Sequence, residues 1–528
     1  MRKLSALVLL LACHGKDDTD PTDQTDGDTD VAPTDTTSET GTEETGNGTL
    51  AITSAELVEN TAAGLTAWLR VTTAEATSLE IDVTVAGKSW TITDPTATNH
   101  EVLVLGLRAD SDVDVHVTAT NGAGETGSTD LTLHTSPLAQ GFGPIQVASS
   151  DPKRMEPGVT ALPAPGGFML VDADGQPCWT FRMNVGAREI GLTPDHTILV
   201  VGERSFLLEV DLAGRVVHRW ANARDEAKHT PLELFVTHHD IQRLPNGNLI
   251  TLSEERRWLT HPTSESDRGA PWADAWVAGD VVVEFQPDGT IVSQWNLLDL
   301  LDPNRIAYDS IRGDFWENFF TWRGDDVHDW AHANAISYDP VDNLILVSLR
   351  HQDAVIAFDR GTGELKWILG NPVDWVAPWD AKVLTPDPQL PDFRYHWHQH
   401  GAQFTADGTI TMFDNGNYGV PAYYPKRPDR ISRAMEVRID PVAMTYETVW
   451  TWGDELNLFS GSMGDVDPLP QTGNMLVTYG NPSGVGPKSA IVYEVTRAGD
   501  IVWEASTSSG IAWFRGSRWS GIIPGPGR

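Results

Sequence analysis

The chain has 528 residues, of which 40% are hydrophobic and 21% charged, the composition of a soluble globular protein and not of a disordered or membrane-spanning one. Seventy-four acidic against 37 basic residues give a formal net charge of −37, which excludes nucleic-acid binding by phosphate neutralisation. Two cysteines are too few for a disulfide framework, whereas 20 tryptophans are many, and several close short apolar runs such as VVHRW, IVSQW, ELKW and DIVW.

The N-terminus, MRKLSALVLLLAC, joins basic Arg2 and Lys3 to an apolar run, Leu4 to Ala12, that is too short to cross a bilayer. Its end, LLAC, resembles the bacterial lipobox. The resemblance implies a lipoprotein-type signal peptide over residues 1–13 and a diacylglyceryl group on Cys13. It also implies an exported protein held to a membrane, in the periplasm or at the outer membrane or surface of a Gram-negative bacterium. A plain export signal with an incidental cysteine is the other reading. With Cys13 acylated, Cys178 has no partner for an intrachain disulfide. Residues 14–48, with runs such as KDDTDPTDQTDGDTD, bury no apolar surface and repel themselves, which predicts a disordered, solvated acidic stalk. A calcium loop would need a Gly-centred turn closed by a bidentate Glu between helices, a pattern this run lacks.

Residues 49–136 alternate apolar and polar positions in short runs (LTAWLRVTT, LEIDVTVAG, HEVLVLGL, DVDVHVTATN) separated by turn residues. This spacing predicts a small antiparallel β-sandwich. VHVTATNGAGETG resembles the late strands of fibronectin type III domains, which implies a spacer or docking module; no catalytic constellation falls here.

From residue 150 to 528 the chain is still all-β, and it repeats. Each unit is a turn of the P-N-G-N kind, two strands, a D-x-x-G turn and a strand ending in tryptophan. The unit appears as PGGFMLVDADGQPCWTF, PDHTILVVGERSFLLEVDLAGRVVHRW and PNGNLITLSEE…DVVVEFQPDGTIVSQW. It recurs as PVDNLILVSLRHQDAVIAFDRGTGELKWILG, ADGTITMFDNGN…RAMEVRIDPVAMTYETVWTW and QTGNMLVTYGNP…SAIVYEVTRAGDIVWEA. Six units of about four strands each predict a six-bladed β-propeller, with an asymmetric two-sheet sandwich as the alternative.

Within this register, the position seven residues before the turn residue is His239 from Asn246, His332 from Asp339 and His400 from Asp407. The same offset gives Arg188 from Asp195 and Asp465 from Thr472. Each starts the innermost strand of a blade, so three blades aim a histidine at one axis. RYHWHQHGAQFTADGTITMFDNGN adds His396 and His398 at alternate positions beside His400. Such a cluster suits a metal, a proton relay or a nucleophile, and satisfied core histidines remain a further reading. Arg350, on the strand after His332, is a fixed cation that suits an anion better than a metal ion. The expectation is therefore a tetrahedral oxyanion receptor without metal or cofactor.

The segments HHDIQRLPNGNLITLSEE, HDWAHANAISYDPVDNLILVSLRHQDAVIAFDRGTGELKWILG and HWHQHGAQFTADGTITMFDNGN resemble the bacterial arylsulfate sulfotransferases over residues 150 to about 520. That family implies a six-bladed propeller moving a sulfuryl group from an aryl sulfate donor to a phenol acceptor, without a nucleotide sulfate donor. By the resemblance His400 is the nucleophile that becomes sulfurylated. His239, His332 and Arg350 bind the sulfuryl oxygens, Asn334 positions them, and His238 and His398 are neighbours in the substrate site. One covalent intermediate serving both half-reactions implies ping-pong kinetics. Two departures stand out: the enterobacterial type carries a disulfide that this chain cannot form, and it lacks the long acidic stalk. A surface-anchored propeller that binds anionic aryl ligands or a protein without turnover is the competing function. A quinone-dependent dehydrogenase would need a larger ring and an adjacent-cysteine pair, which the sequence lacks.

Overall fold

The computed structural model describes residues 50–183, 185–202, 206–221, 230–311, 327–387, 393–417, 430–483, 490–507 and 510–524. These lie in the compact unit Gly41–Arg528. The signal peptide with Cys13 and the acidic stalk expected from the sequence lie outside the described residues. Among the described residues the fold is all-β; its one α-helix is the four-residue Leu297–Leu300.

The first five strands are β1 (Ile52–Glu59), β2 (Thr66–Val85), β3 (Lys88–Leu105), β4 (Asp112–Asn121) and β5 (Thr126–His134). The first part of β2 pairs with β1 and the end of β3, and the second part pairs with β4 and the start of β3. The β2–β3 register shifts between Thr72 and Leu79, which lets two strands serve two sets of partners. Burial alternates along β4 as the period-2 pattern requires, and Leu69, Ile81, Val83, Val104 and Val117 line a core of their own.

Among the described residues beyond these, the strands make six mainly antiparallel sheets of four or five strands, three of them with one parallel pair, and a two-stranded sheet. Their inner ends are stitched by side chains. Asp240 accepts the Ile336 N–H at 2.9 Å, Ser337 Oγ accepts the Phe404 N–H at 3.1 Å, and Gln403 donates to Val466 O at 3.0 Å. Tryptophan stitches the outer part. Trp179 Nε1 donates to Leu212 O (2.9 Å), Trp220 to Pro287 O (2.8 Å), Trp452 to Gly499 O (3.2 Å) and Trp503 to Ala173 O (2.9 Å). In each case the tryptophan of the last strand reaches the D-x-x-G turn, or its equivalent, of another repeat.

The chain ends meet in two sheets. Gln146–Ser150 pairs with Ile501–Ser506, and Ser517–Trp519 pairs with Val159–Ala164.

Candidate active site

His239 is the second residue of the strand His238–Arg243, His332 immediately precedes Ala333–Asp339, and His400 opens His400–Phe404. Each strand is irregular at that end: its pairing register shifts between His238 and Ile241, Ala333 and Ala335, and His400 and Gln403. The backbone is left-handed at His239 (φ 58°), His332 (φ 52°) and His398 (φ 55°), a conformation uncommon outside glycine. These departures from regular pairing turn the imidazoles together: the rings of His239 and His332 lie 5.0 Å apart, and Phe514 lies 5.6 Å from His239 and 6.2 Å from His400.

The hydrogen bonds fix which ring nitrogen carries the proton. His332 Nδ1 lies 2.6 Å from Asp329 Oδ2, so Nδ1 donates and Nε2 is the acceptor. His238 Nε2 lies 3.2 Å from the Ser253 carbonyl and so donates to it; its Nδ1 then accepts from His239 Nδ1, 2.7 Å away. That leaves His239 with Nε2 as acceptor. His400 Nδ1 lies 2.7 Å from Asn415 Oδ1 and 3.2 Å from His398 O, and its Nε2 accepts the Met463 N–H at 3.3 Å. All three neutral rings thus present Nε2 as a base or nucleophile.

Burial drives the His239, His332 and His400 pKa values well below the ordinary imidazole value. Neighbouring positive charge adds to it, first His238 for His239 and first Arg350 for the other two. Burial pushes His238 down to about 3. His398 differs: burial and Arg350 press its pKa down, but Asp353, 2.9 Å from Nδ1, and Asp309 outweigh them, and its pKa is raised. Next to it, burial pushes the Asp309 carboxyl up, yet His398 and Arg350 hold it well below the usual carboxylate range. Arg350 is thus a cation beside His332 and His400, Arg188 is a further one acting on His238, His239 and His332, and the carboxylates around His398 favour its charged form.

Arg350 opens a 3-10 turn and not a strand. Its Nη1 donates to His351 Nε2 at 2.5 Å and its Nη2 to Gly461 O at 3.3 Å, while His351 Nδ1 donates to Asp329 O at 2.7 Å. His351, stacked 4.7 Å from His332, is a histidine that the repeat register does not pick out. Asn334 is fully buried, and its Nδ2 donates to Gln399 O at 2.7 Å, which ties it to the segment leading into His400. His396, buried beside Asp414, stands apart from the cluster of His239, His332 and His400.

Three groups bring ligand-type atoms within 4.8 Å of one another: Asp309/His351/His398, Asp329/His332/His351 and His238/Glu254/Asp280. In the first two, both His351 nitrogens are already used, one of them by Arg350. The third is a buried carboxyl pair behind His238, whose Nε2 lies 3.5 Å from Glu254 and 3.8 Å from Asp280. Beneath the histidines, a cavity of about 400 Å³ is lined by Glu189, Asp240, Asp465, Asp467 and Arg515. Arg515 bridges Glu189 (2.8 Å) and Asp240 (3.0 Å).

Fold and site together define an all-β protein of repeated antiparallel sheets that gathers buried bases around an arginine. The chain belongs to the arylsulfotransferase family: the family described as Arylsulfotransferase (ASST) matches residues 144–512. It is 26% identical over 359 residues to the arylsulfate sulfotransferase AssT of Escherichia coli O6:H1, and 27% identical over 356 residues to that of Lelliottia amnigena. Each match covers 57% of this chain and 55% of the relative, so the chain spans about half the length of these curated relatives. Among solved structures, an auxiliary nutrient binding protein from Bacteroides ovatus aligns with 87% of this chain and 90% of its own at 10% identity and a TM-score of 0.32, a likeness that carries no argument.

Proposed function

We propose that this chain is an aryl sulfotransferase that moves a sulfuryl group from an aryl sulfate ester to a phenol through a sulfohistidine on His400, with no nucleotide donor. The observation that carries the reading is His400 itself. Its Nε2 is a buried, neutral nucleophile, and the loop that touches it also meets Arg350. In the first half-reaction Nε2 attacks sulfur, the N–S bond forms, and the S–O(aryl) bond breaks with its electron pair on the departing phenolate. Arg350 and His398 offset the charge on the sulfuryl oxygens in a buried setting, where preorganised charge acts most strongly. In the second, the acceptor phenol attacks sulfur while His332 Nε2, backed by Asp329, takes its proton; His239 is the second base within reach. Ping-pong kinetics follow.

The proposed scaffold is a six-bladed β-propeller carrying a fibronectin III-like sandwich. The inner stitches, the tryptophan bonds and the pairing of both chain ends support a closed ring. The partial separation of β2 and β3 into two pairing sets supports the sandwich. A lipid on Cys13 would tether the protein to a membrane. Cys13→Ser should then move it to the soluble exported fraction at unchanged specific activity, and a variant that stays with the membrane ends that part of the reading.

The test of the reaction is 4-nitrophenyl sulfate with and without phenol. Nitrophenol release should depend on the phenol. Donor alone should add one SO₃ to the peptide bearing His396, His398 and His400, read by mass spectrometry after an alkaline quench, and His400→Asn should abolish it. His239→Asn, His332→Asn and Arg350→Ala should slow labelling by about 10²–10³-fold. No release with any of several phenols would favour a binding propeller without turnover. A label on His239 or His332 would reassign the nucleophile.

A further inference from the structure

We propose that Asn415 and the backbone amide of Met463 complete the transfer site. Asn415 holds the nucleophile in its reactive tautomer, and the Met463 N–H passes from the resting nucleophile to an oxygen of the incoming sulfuryl group. The inference rests on the reading of His400 as nucleophile and adds a positioning residue and an anion donor to it.

Asn415 follows the strand Ile410–Asp414, whose Phe413 pairs with His400, and it is fully buried. Its amide donates to Ser460 O at 2.7 Å and to Met463 O at 2.8 Å. Two carbonyls demand the NH₂ end there, because a flipped amide would set oxygen against oxygen. The Oδ1 end therefore faces His400 Nδ1 at 2.7 Å, and that nitrogen must carry the proton. An acceptor at this point keeps the lone pair on Nε2, the atom that meets the substrate.

The same amide secures the loop on the other side of the ring. Met463 is left-handed (φ 63°), and its N–H points at Nε2 from 3.3 Å. Backbone strain of this kind persists only where its surroundings over-determine it. Here Asn415 holds Met463 O, the Gly464 N–H donates to Phe514 O at 3.1 Å, and Arg350 holds Gly461 O. In the resting protein this N–H lies on the lone pair. Once Nε2 bonds to sulfur the lone pair is used, and the nearest acceptors are the sulfuryl oxygens, one bond further out. The ring meanwhile becomes an N-sulfo imidazolium, positive on the ring and negative on the sulfo group, with Nδ1–H retained. The Nδ1–H···Oδ1 bond becomes charge-assisted and stronger. Both contacts improve between ground state and transition state, and interactions of that kind raise the rate of the chemical step.

The charged and titratable groups around His400 are Arg350 and His332, His239 across Phe514, His398 two residues before it, Asp465 against Gly401 and Asp414 before Asn415. Neither carboxylate is hydrogen-bonded to the His400 ring, whose partners are Asn415, His398 O and the Met463 N–H, so a carboxylate introduced at residue 415 would be the first to touch that ring and readable in the pH profile. The experiment times donor-only labelling from pH 5 to 9 in the full-length protein, in Asn415→Leu and in Asn415→Asp, with ¹⁵N-histidine NMR for the tautomer. Asn415→Leu leaves only the more distant His398 carbonyl as acceptor for Nδ1–H, so it should label about 10²-fold more slowly and show a measurable share of the Nε2–H tautomer of His400 that the wild type lacks. Asn415→Asp keeps an acceptor for Nδ1–H but stabilises the imidazolium, so its labelling should fall off at an acid limb at least one pH unit above that of the wild type. If Asn415→Leu folds poorly, the pH limb of Asn415→Asp decides. Wild-type rate and tautomer in Asn415→Leu, or an unmoved limb in Asn415→Asp, overturns this inference and leaves sulfohistidine standing. Absence of the label on wild-type His400 overturns the nucleophile assignment and this inference with it.

Discussion

Glu254 and Asp280 sit behind His238, buried and carboxyl to carboxyl. Burial raises both: Asp280 to about 7, with the charge of Asp329 as the next cause, and Glu254 well above its ordinary value, with the charge of Asp280 as the next cause. The folded protein thus holds protons that the unfolded chain releases once pH passes the carboxylate range. Stability from this source is complete at low pH and is lost as pH rises toward 7. Glu254→Gln cannot titrate. Relative to wild type it should gain melting temperature between pH 5 and pH 8, by about 2–4 °C for each kcal/mol of linkage, and parallel melting curves at the two pH values would refute the shared-proton picture. Residues of this kind were not legible in the sequence. His239, His332 and His400 could be found because a constant offset from a turn marks them. Asp280, Asp329, Asp353 and His351 carry no such mark, since they reach the site from a long hairpin, the short strand Val327–Asp329 and a 3-10 turn with its C-terminal cap.

The inner strands translate that offset into direction, through bends that no propensity signals. His239, His332 and His398 adopt left-handed backbone without being glycine, and nothing in their identity announces it. Gly401 does announce it: φ is 61°, and a Cβ there would run into the Asp465 carboxylate of the neighbouring inner strand. Gly401→Ala should cost about 1–3 kcal/mol in denaturant unfolding, from backbone strain and the displaced carboxylate. Because Gly401 follows His400, the proposed nucleophile, kcat should fall while the donor KM changes little. An equal loss in both would mean that the bend shapes binding and does not aim Nε2. The strands themselves were legible, from alternation and turn residues. The bond from Asn334 Nδ2 to Gln399 O was not, because no residue pattern marks a contact between a side chain and the backbone of another repeat.

At the scale of the whole molecule, the repeat predicts its own closure through tryptophan, and the last bond of the series, Trp503 to Ala173, joins the final repeat to the first. The segment after it, which carries Arg515 and Arg518, belongs to no repeat. In the structure it runs back to the first repeat and to the clustered histidines. Ser517–Trp519 pairs with Val159–Ala164, Arg518 lies 3.3 Å from Glu494 and donates to Glu156 O, and Phe514 packs against two of the histidines. Arg515 bridges Glu189 and Asp240, with Asp465 and Asp467 alongside, and these carboxylates raise its pKa although burial alone would lower it. Removing one member of such a buried ionic group costs about 3–5 kcal/mol, a large part of the 5–15 kcal/mol that stabilises a typical domain. A chain ending at Thr507 loses this cation, Arg518 and an edge strand together. It should therefore lose both its single cooperative melt and its turnover of 4-nitrophenyl sulfate, and a peptide of residues 508–528 added in trans should restore part of each. A truncated chain that melts within a few degrees of the full-length protein would mean that pairing of Gln146–Ser150 with Ile501–Ser506 suffices to hold the molecule closed, with the C-terminal segment serving only the site.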